Sequence, residues 1–453
     1  MFGHLFGDRP FYGAMARIAI PIAIQQLVAS LLNVIDVVMI GQLGDTAVAG
    51  VGLANQIGFL VNLLLFGIGS GAAIFAAQFW GRTDVPNIRR VLGISLLLGL
   101  LGGGIFTALA TLAPTWTLGV YSKDPAVIAL GSGYLRLSGL SYGLFAITFI
   151  YSSVLRSTGN VKLPMAVSVA ALSLKTVLSY LLIFGHLGLP ALGVTGAAIG
   201  TLVARFVECA VLLVLVYARP SPAAARPREM FAFDGPFLRR FFKTTLPVMM
   251  GEVAWSFGMT TYNVVYARIG TEAVAAVNIA GAVENLAFVL FISLATAAAI
   301  MIGNKIGADD AGKATAYAWR FLALGVAGAL AVGAAVLLSA ETILSLYKIS
   351  PLTHSYARGV LTVMGLALWL KASNMMMIVG ILRSGGDTRY AFFADAGSVW
   401  FVGIPLAFLA AFYFHLPVYW VVALVLGDEA VKFGFSLHRV FSRRWINNVV
   451  QVV

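Results

Sequence analysis

The chain has 453 residues, of which 60% are hydrophobic and only 11% charged, against roughly 25% charged in a soluble globular domain. A water-soluble protein of this size could not hide so much apolar surface. Composition therefore excludes a cytosolic enzyme, a nucleic-acid-binding domain and a disordered chain, and points to a polytopic membrane protein. The net charge of +12, from 30 Lys and Arg against 18 Asp and Glu, fits basic residues held in cytoplasmic loops better than nucleic-acid binding.

The first residues are short and mixed, and the apolar stretch that starts near Ala14 is too long for a signal-peptide core. A helix needs about 20 apolar residues to cross the hydrocarbon core. Twelve stretches qualify, near 13–40, 47–79, 88–116, 126–155, 163–185, 191–217, 241–268, 273–304, 315–346, 356–381, 390–413 and 418–438. With the N-terminus inside, 21 of the 30 Lys and Arg fall on the inner side and five on the outer. That bias predicts cytoplasmic termini. The longest hydrophilic segment, 218–240, carries Pro220, Pro222, Pro227, Arg239 and Arg240 and reads as a cytoplasmic linker between an N-lobe (1–217) and a C-lobe (241–453).

The two halves repeat. At an offset of 226, Pro21 falls on Pro247, Gly44 on Gly270, Gly81 on Gly307 and Asp84 on Asp310; at 227, Leu155-Arg156-Ser157 falls on Leu382-Arg383-Ser384, Gly159 on Gly386 and Gly200 on Gly427. Six helices per half give both halves the same direction of entry. The predicted fold is all-α and polytopic: twelve transmembrane helices in two pseudo-symmetric six-helix bundles around a central cavity, the parallel-repeat plan of many secondary transporters.

Ionisable groups inside hydrocarbon are costly and usually functional. Asp36, in the first helix, can bind a cation or a proton. Glu252, in the seventh, has Gln26 as its repeat-mate and aromatic neighbours Trp255 and Phe257, which suit a cavity for lipophilic cations. Lys175 and Lys371 each need a carboxylate partner; Asp36 is expected for Lys175 and Glu252 for Lys371. Glu284 and Asp395 are candidates for the C-terminal half of the cavity, whose expected lining also includes Tyr262 and Asn374. Arg205 and Glu208, and likewise Glu429 and Lys432, are three apart on one helix face and read as structural ion pairs. Asp84, Asp309 and Asp310 read as solvated or capping loop charges. No GxxxxGK[ST] phosphate loop, HExxH or GxSxG elbow occurs, and the five histidines (His4, His186, His354, His415, His438) lie in loops or at helix ends. The single Cys209 excludes an intramolecular disulfide and a cysteine-based metal site. No catalytic or metal site is expected.

Taken together, Asp36 followed by VVMIGQLG, ALGVTGAAIGT in the sixth helix, Glu252, the loops LRSTGN and LRSGGDT, and the final EAVKFGF…RW segment resemble the multidrug and toxic compound extrusion (MATE) family over roughly residues 14–446. The resemblance implies a monomeric carrier in the bacterial or archaeal cytoplasmic membrane. It would export small, cationic or amphipathic compounds by alternating access, with no cofactor and no nucleic-acid partner, driven by inward flow of H⁺ or Na⁺. It also implies an N-lobe site built from the helix 1 acid, an Asn and an Asp four apart on helix 5, and a helix 6 Thr. Thr201 matches that Thr, but the helix 5 positions hold Lys175 and Ser179. An ammonium beside Asp36 would repel Na⁺, so proton coupling through Asp36 and Lys175 is expected. Helix 10 also departs from relatives that carry an acid there: the corresponding region reads Leu370-Lys371-Ala372-Ser373-Asn374. The alternatives are a Na⁺-coupled exporter of the same family, a flippase or exporter of lipid-linked or natural-product substrates using the two lysines, an integral membrane enzyme, and a channel.

Overall fold

A computed structural model describes residues 8–451; His4 lies outside the described residues. All regular structure among them is helical, as expected where no water can satisfy backbone groups. Twelve crossings are arranged in chain order: α1 (Arg9–Gly41), α2 (Asp45–Gly81), α3 (Val85–Leu112), α4 (Pro125–Gly139 and Tyr142–Ser157), α5 (Lys162–Phe184), α6 (Val194–Tyr217), α7 (Gly235–Ile269), α8 (Thr271–Gly307), α9 (Ala311–Ser345), α10 (Pro351–Arg383), α11 (Thr388–Tyr413) and α12 (Val418–Val425 and Gly427–Phe441). Nine are long and apolar enough by themselves to cross a membrane, and the two parts of α4, bent by 48°, make a tenth. The other two carry more charge. Helix α7 begins with Arg239, Arg240 and Lys243, and α12 is interrupted at Leu426 and carries Asp428, Glu429 and Lys432.

Boundaries follow local chemistry. Helix α3 ends at Leu112 rather than at the expected 116, because Pro114 has no N–H and opens a separate short helix, Pro114–Gly119. The side chain of Asp84 accepts a hydrogen bond from the Asn87 N–H and caps α3; Asp310 does the same for α9 through the Lys313 N–H. The residue before each cap, Thr83 and Asp309, has a φ of 58° and 56°. Gly159 and Gly386 also share positive φ, at 84° and 75°. Equal backbone twists at the offsets of 226 and 227 show that the repeat is structural.

The chain forms two compact units: Ile24–Arg239, and the chain from Arg240 onward together with α1 up to Ala23. In the first, Val61, Leu65, Leu118, Leu135 and Ala146 are fully buried at the centre. Gly50 and Gly131 let α2 and α4 touch, since a Cβ on Gly131 would lie 2.8 Å from the Gly50 carbonyl. The second centres on Val265, Ala273, Leu361, Val399 and Val418, and a Cβ on Gly333 would lie 2.3 Å from the Gly365 carbonyl. Small residues at crossings are the usual source of packing energy where lipid is as apolar as the core. The outward faces keep Leu112, Leu338 and Phe401 exposed.

The 218–240 segment is docked on its unit. A short helix, Pro227–Met230, lies on α3, where Gly93 leaves room: a Cβ there would sit 2.1 Å from the Met230 carbonyl oxygen. Arg89 and Glu229 form an ion pair at 2.6 Å. The Arg226 backbone N–H, and then the Arg89 charge, hold the Glu229 carboxyl below its ordinary range.

Candidate functional site

In the Ile24–Arg239 unit, α1 and α5 bring two of the expected residues together. Lys175 Nζ donates to Asp36 Oδ2 at 2.6 Å, with side chains 23% and 13% exposed. The other oxygen, Asp36 Oδ1, is buried with no hydrogen-bond partner, as is Ser179 Oγ one turn further along α5. Thr201 is on α6 with its hydroxyl turned back to the Ala197 carbonyl. The adjacent Gly200 lets α6 touch Ser179: a Cβ at 200 would lie 2.9 Å from its Oγ. A carboxylate with one oxygen held by an ammonium and one left bare can take up a proton or change partner. Gln26 is half-buried on α1. Arg205 pairs with Glu208 at 2.6 Å, its guanidinium lies over the Phe145 ring, and Ser168 donates to the second Glu208 oxygen.

The other unit departs from expectation. Glu252 does not pair with Lys371. Arg383, counted in the sequence as a loop cation, is buried and donates to Glu252 at 2.6 Å, and Lys371 pairs with Glu284 on α8. The reason is depth. Lys371 and Arg383 are twelve residues apart on α10, about 18 Å along a helix axis, so an acid level with one cannot reach the other. The last turns of α10, Met376–Arg383, are wound as a π-helix, an irregularity often found at functional positions.

Lys432 contacts two acids, Asp395 on α11 at 2.9 Å and Glu429 at 3.2 Å. The expected simple Glu429–Lys432 pair is therefore one edge of a larger network. Asp395 stands at the repeat position of Ser168, and Lys432 at that of Arg205, so both units put a cation and a polar partner at equivalent places, although Glu208 falls on Phe435 and Glu429 on Leu202. Two residues expected to line the cavity are buried against α12 instead. Tyr262, 4% exposed, donates its hydroxyl to Asp428 at 3.2 Å; the amide nitrogen of Asn374, 3% exposed, donates to the Glu429 carboxylate at 2.6 Å and to its backbone carbonyl at 2.8 Å. A groove of about 720 Å³ beside α10 and α12 is lined by Thr362, Leu366, Trp369, Tyr419 and Trp420, and none of the expected cavity residues lines it. Arg383 stands in the sequence only as an inner-side cation, and Asp428 only as one of the ionisable groups within the spans, with no role assigned to either. The signal for Arg383 was the repeated Leu-Arg-Ser motif.

A family model described as MatE matches twice, over residues 21–181 and 247–409, one match for each half of the repeat. The chain is 24% identical over 438 residues to a probable multidrug resistance protein NorM of Thermotoga maritima, covering 96% of this chain and 93% of that protein. It is 28% identical over 434 residues to a probable multidrug resistance protein NorM of Rhizobium meliloti, covering 94% and 90%. Among solved structures, a MATE protein in complex with MaL6 superposes with a TM-score of 0.87 at 22% identity, covering 97% of this chain and 98% of that one. A transporter of the MOP superfamily from Pyrococcus furiosus gives 0.86 at 22% identity and the same coverage.

Proposed function

Because the chain belongs to the MatE family of multi-pass membrane transporters, we propose that it is a proton-coupled antiporter that exports small cationic or amphipathic organic compounds by alternating access. It would work as a monomer in the cytoplasmic membrane of a bacterium or archaeon, with both termini inside and no cofactor. The observation that carries the choice of ion is the Lys175–Asp36 pair at 2.6 Å. The ammonium already balances the Asp36 charge, and at that distance it repels a second cation strongly in a low-dielectric site. A proton on Asp36 releases Lys175 and changes the local charge by one, a change able to bias a two-state carrier.

The pairing of the lysines supports a cationic over an anionic substrate. Lys175 and Lys371 each have a carboxylate partner, so neither is free to hold a phosphate, as a flippase for lipid-linked saccharides would require. Reconstitution in liposomes tests both points. A pH gradient, acidic on the side from which the driving ion enters, should drive transport of an aromatic cation at equal Na⁺ on both sides. Transport driven by a Na⁺ gradient alone, with no response to pH, would overturn proton coupling. Transport of anions in preference to cations would overturn the substrate class.

A further inference from the structure

The C-terminal unit holds a network, buried at Asp395, Asp428 and Lys432 and half-buried at Lys371, Glu284 and Glu429, whose charges do not balance. Four carboxylates, Glu284, Asp395, Asp428 and Glu429, stand against two ammonium groups, Lys371 and Lys432. Lys371 binds Glu284, and Lys432 is shared between Asp395 and Glu429. Both lysines also lie within electrostatic reach of Asp428. Asp428 is 3% exposed and has no ion-pair partner among the described residues; its side chain receives the Tyr262 hydroxyl. The groups facing it come from the neighbouring helices: Tyr262 and Tyr266 from α7, Lys371 from α10, and Glu429 and Lys432 from α12, with Glu284 of α8 beyond Lys371 and Tyr266, and Asp395 of α11 beyond Lys432. Burying an uncompensated carboxylate costs several kcal/mol.

Two further observations mark this cluster as a site. Asn374 Oδ1 is buried with no hydrogen-bond partner, although the same amide is fixed in the network by its nitrogen on two Glu429 oxygens. Those acceptors settle which end of the amide is which, and leave an acceptor waiting for a donor. The second observation is the internal repeat. At its offset of 226, Tyr262 occupies the position of Asp36; at 227, Asp428 occupies that of Thr201. The acid of the first helix and the hydroxyl of the sixth have exchanged places in the second half, where the two side chains bond directly. The fold makes room for this: a Cβ on Gly403 of α11 would lie 1.8 Å from the Tyr262 hydroxyl and 3.0 Å from Asp428 Cβ.

We propose that Asp428, with Tyr262 as its donor and Glu429 and Asn374 beside it, forms a second proton-binding site, in the C-terminal unit and distinct from Asp36. The ligand is a proton, because Lys371 and Lys432 already lie within electrostatic reach of Asp428 and would repel a metal ion there. Its part in transport rests on the proton-coupled reading above; its existence does not.

Infrared difference spectroscopy of the full chain in lipid nanodiscs, stepped between neutral and acid pH, tests it without substrate or gradient. The wild type should show a protonated-carboxyl carbonyl band that is lost in Asp428→Asn and kept in Asp36→Asn. Tyr262→Phe retains the acid, so it reports even if Asp428→Asn fails to fold; it should shift the same band to higher frequency by removing its hydrogen bond. A band set unchanged in Asp428→Asn, or unmoved in Tyr262→Phe, would overturn the site. So would disappearance of the band when choline chloride is replaced by sodium chloride, which would make it a sodium site. A failure of proton coupling would appear separately, in the liposome flux.

Discussion

Asp36 and Lys175 meet at 2.6 Å, yet only one carboxylate oxygen is used; Asp36 Oδ1 is buried and has no partner. The bond is therefore strong but incomplete, which suits a group that must exchange its partner during a cycle. Asp36→Asn keeps the shape and removes the charge. It should lower proton-driven flux by at least about tenfold, or ~1.4 kcal/mol, with a smaller effect on substrate binding. Flux and equilibrium binding measured on the same reconstituted protein separate the two.

The helix 5 residues should decide the coupling ion. Lys175→Asn combined with Ser179→Asp removes the competing ammonium and places an Asn and an Asp four apart beside Asp36. This double variant should gain Na⁺-stimulated transport that the wild type lacks. Initial rates at fixed pH across a series of Na⁺ concentrations would show it, and a flat response would count against Lys175 as the determinant.

Glu252 and Arg383 are a buried pair, with side chains 13% and 7% exposed. Removing one member strands the other, at about 3–5 kcal/mol. Arg383→Met alone should thus destabilise more than Arg383→Met with Glu252→Gln. Thermal unfolding in detergent across the four proteins of the double-mutant cycle measures the coupling, and additive losses would mean that the contact contributes little.

The docked 218–240 segment should respond to pH and to crowding. The Glu229 carboxyl is held below its ordinary range by the Arg226 N–H and by Arg89, so its contribution is fully present above the ordinary carboxylate range and is lost as pH falls through the lowered value. Limited proteolysis of the segment should accelerate at acid pH in the wild type, and Glu229→Gln should be cleaved faster at neutral pH with little further change on acidification. Gly93→Ala puts a methyl group 2.1 Å from the Met230 carbonyl oxygen. It should open the segment at all pH values, at about 1–3 kcal/mol.

Much of the fold was legible because it follows from one-dimensional rules. Apolar length marks a crossing, Lys and Arg in short loops mark the inner side, and the matches Pro21/Pro247, Asp84/Asp310 and Arg156/Arg383 mark the repeat. The match of one family model to both halves, and the paired twists at Thr83 and Asp309, bear the repeat out. The breaks were less legible. The end of α3 at Leu112 depends on Pro114, and the 48° bend of α4 on how two short helices pack. The three-residue spacing of Arg205 and Glu208 pointed to their pair, because such a spacing is local.

By itself, the sequence determined that this is a twelve-crossing, twofold-repeated membrane protein with a handful of charges inside its spans. Hydropathy, charge bias and short spacings are properties of neighbouring residues, so no folding is needed to see them. Which charge meets which was decided by the tertiary structure alone. Lys371 found Glu284 and not Glu252, Arg383 left the loop for a buried bond, and Asp428 met the repeat partner of Asp36. Those choices depend on the depth and rotation of separate helices, to within a few ångströms, and in hydrocarbon each unmatched charge costs kilocalories, so the packing that matches them decides where the chemistry lies.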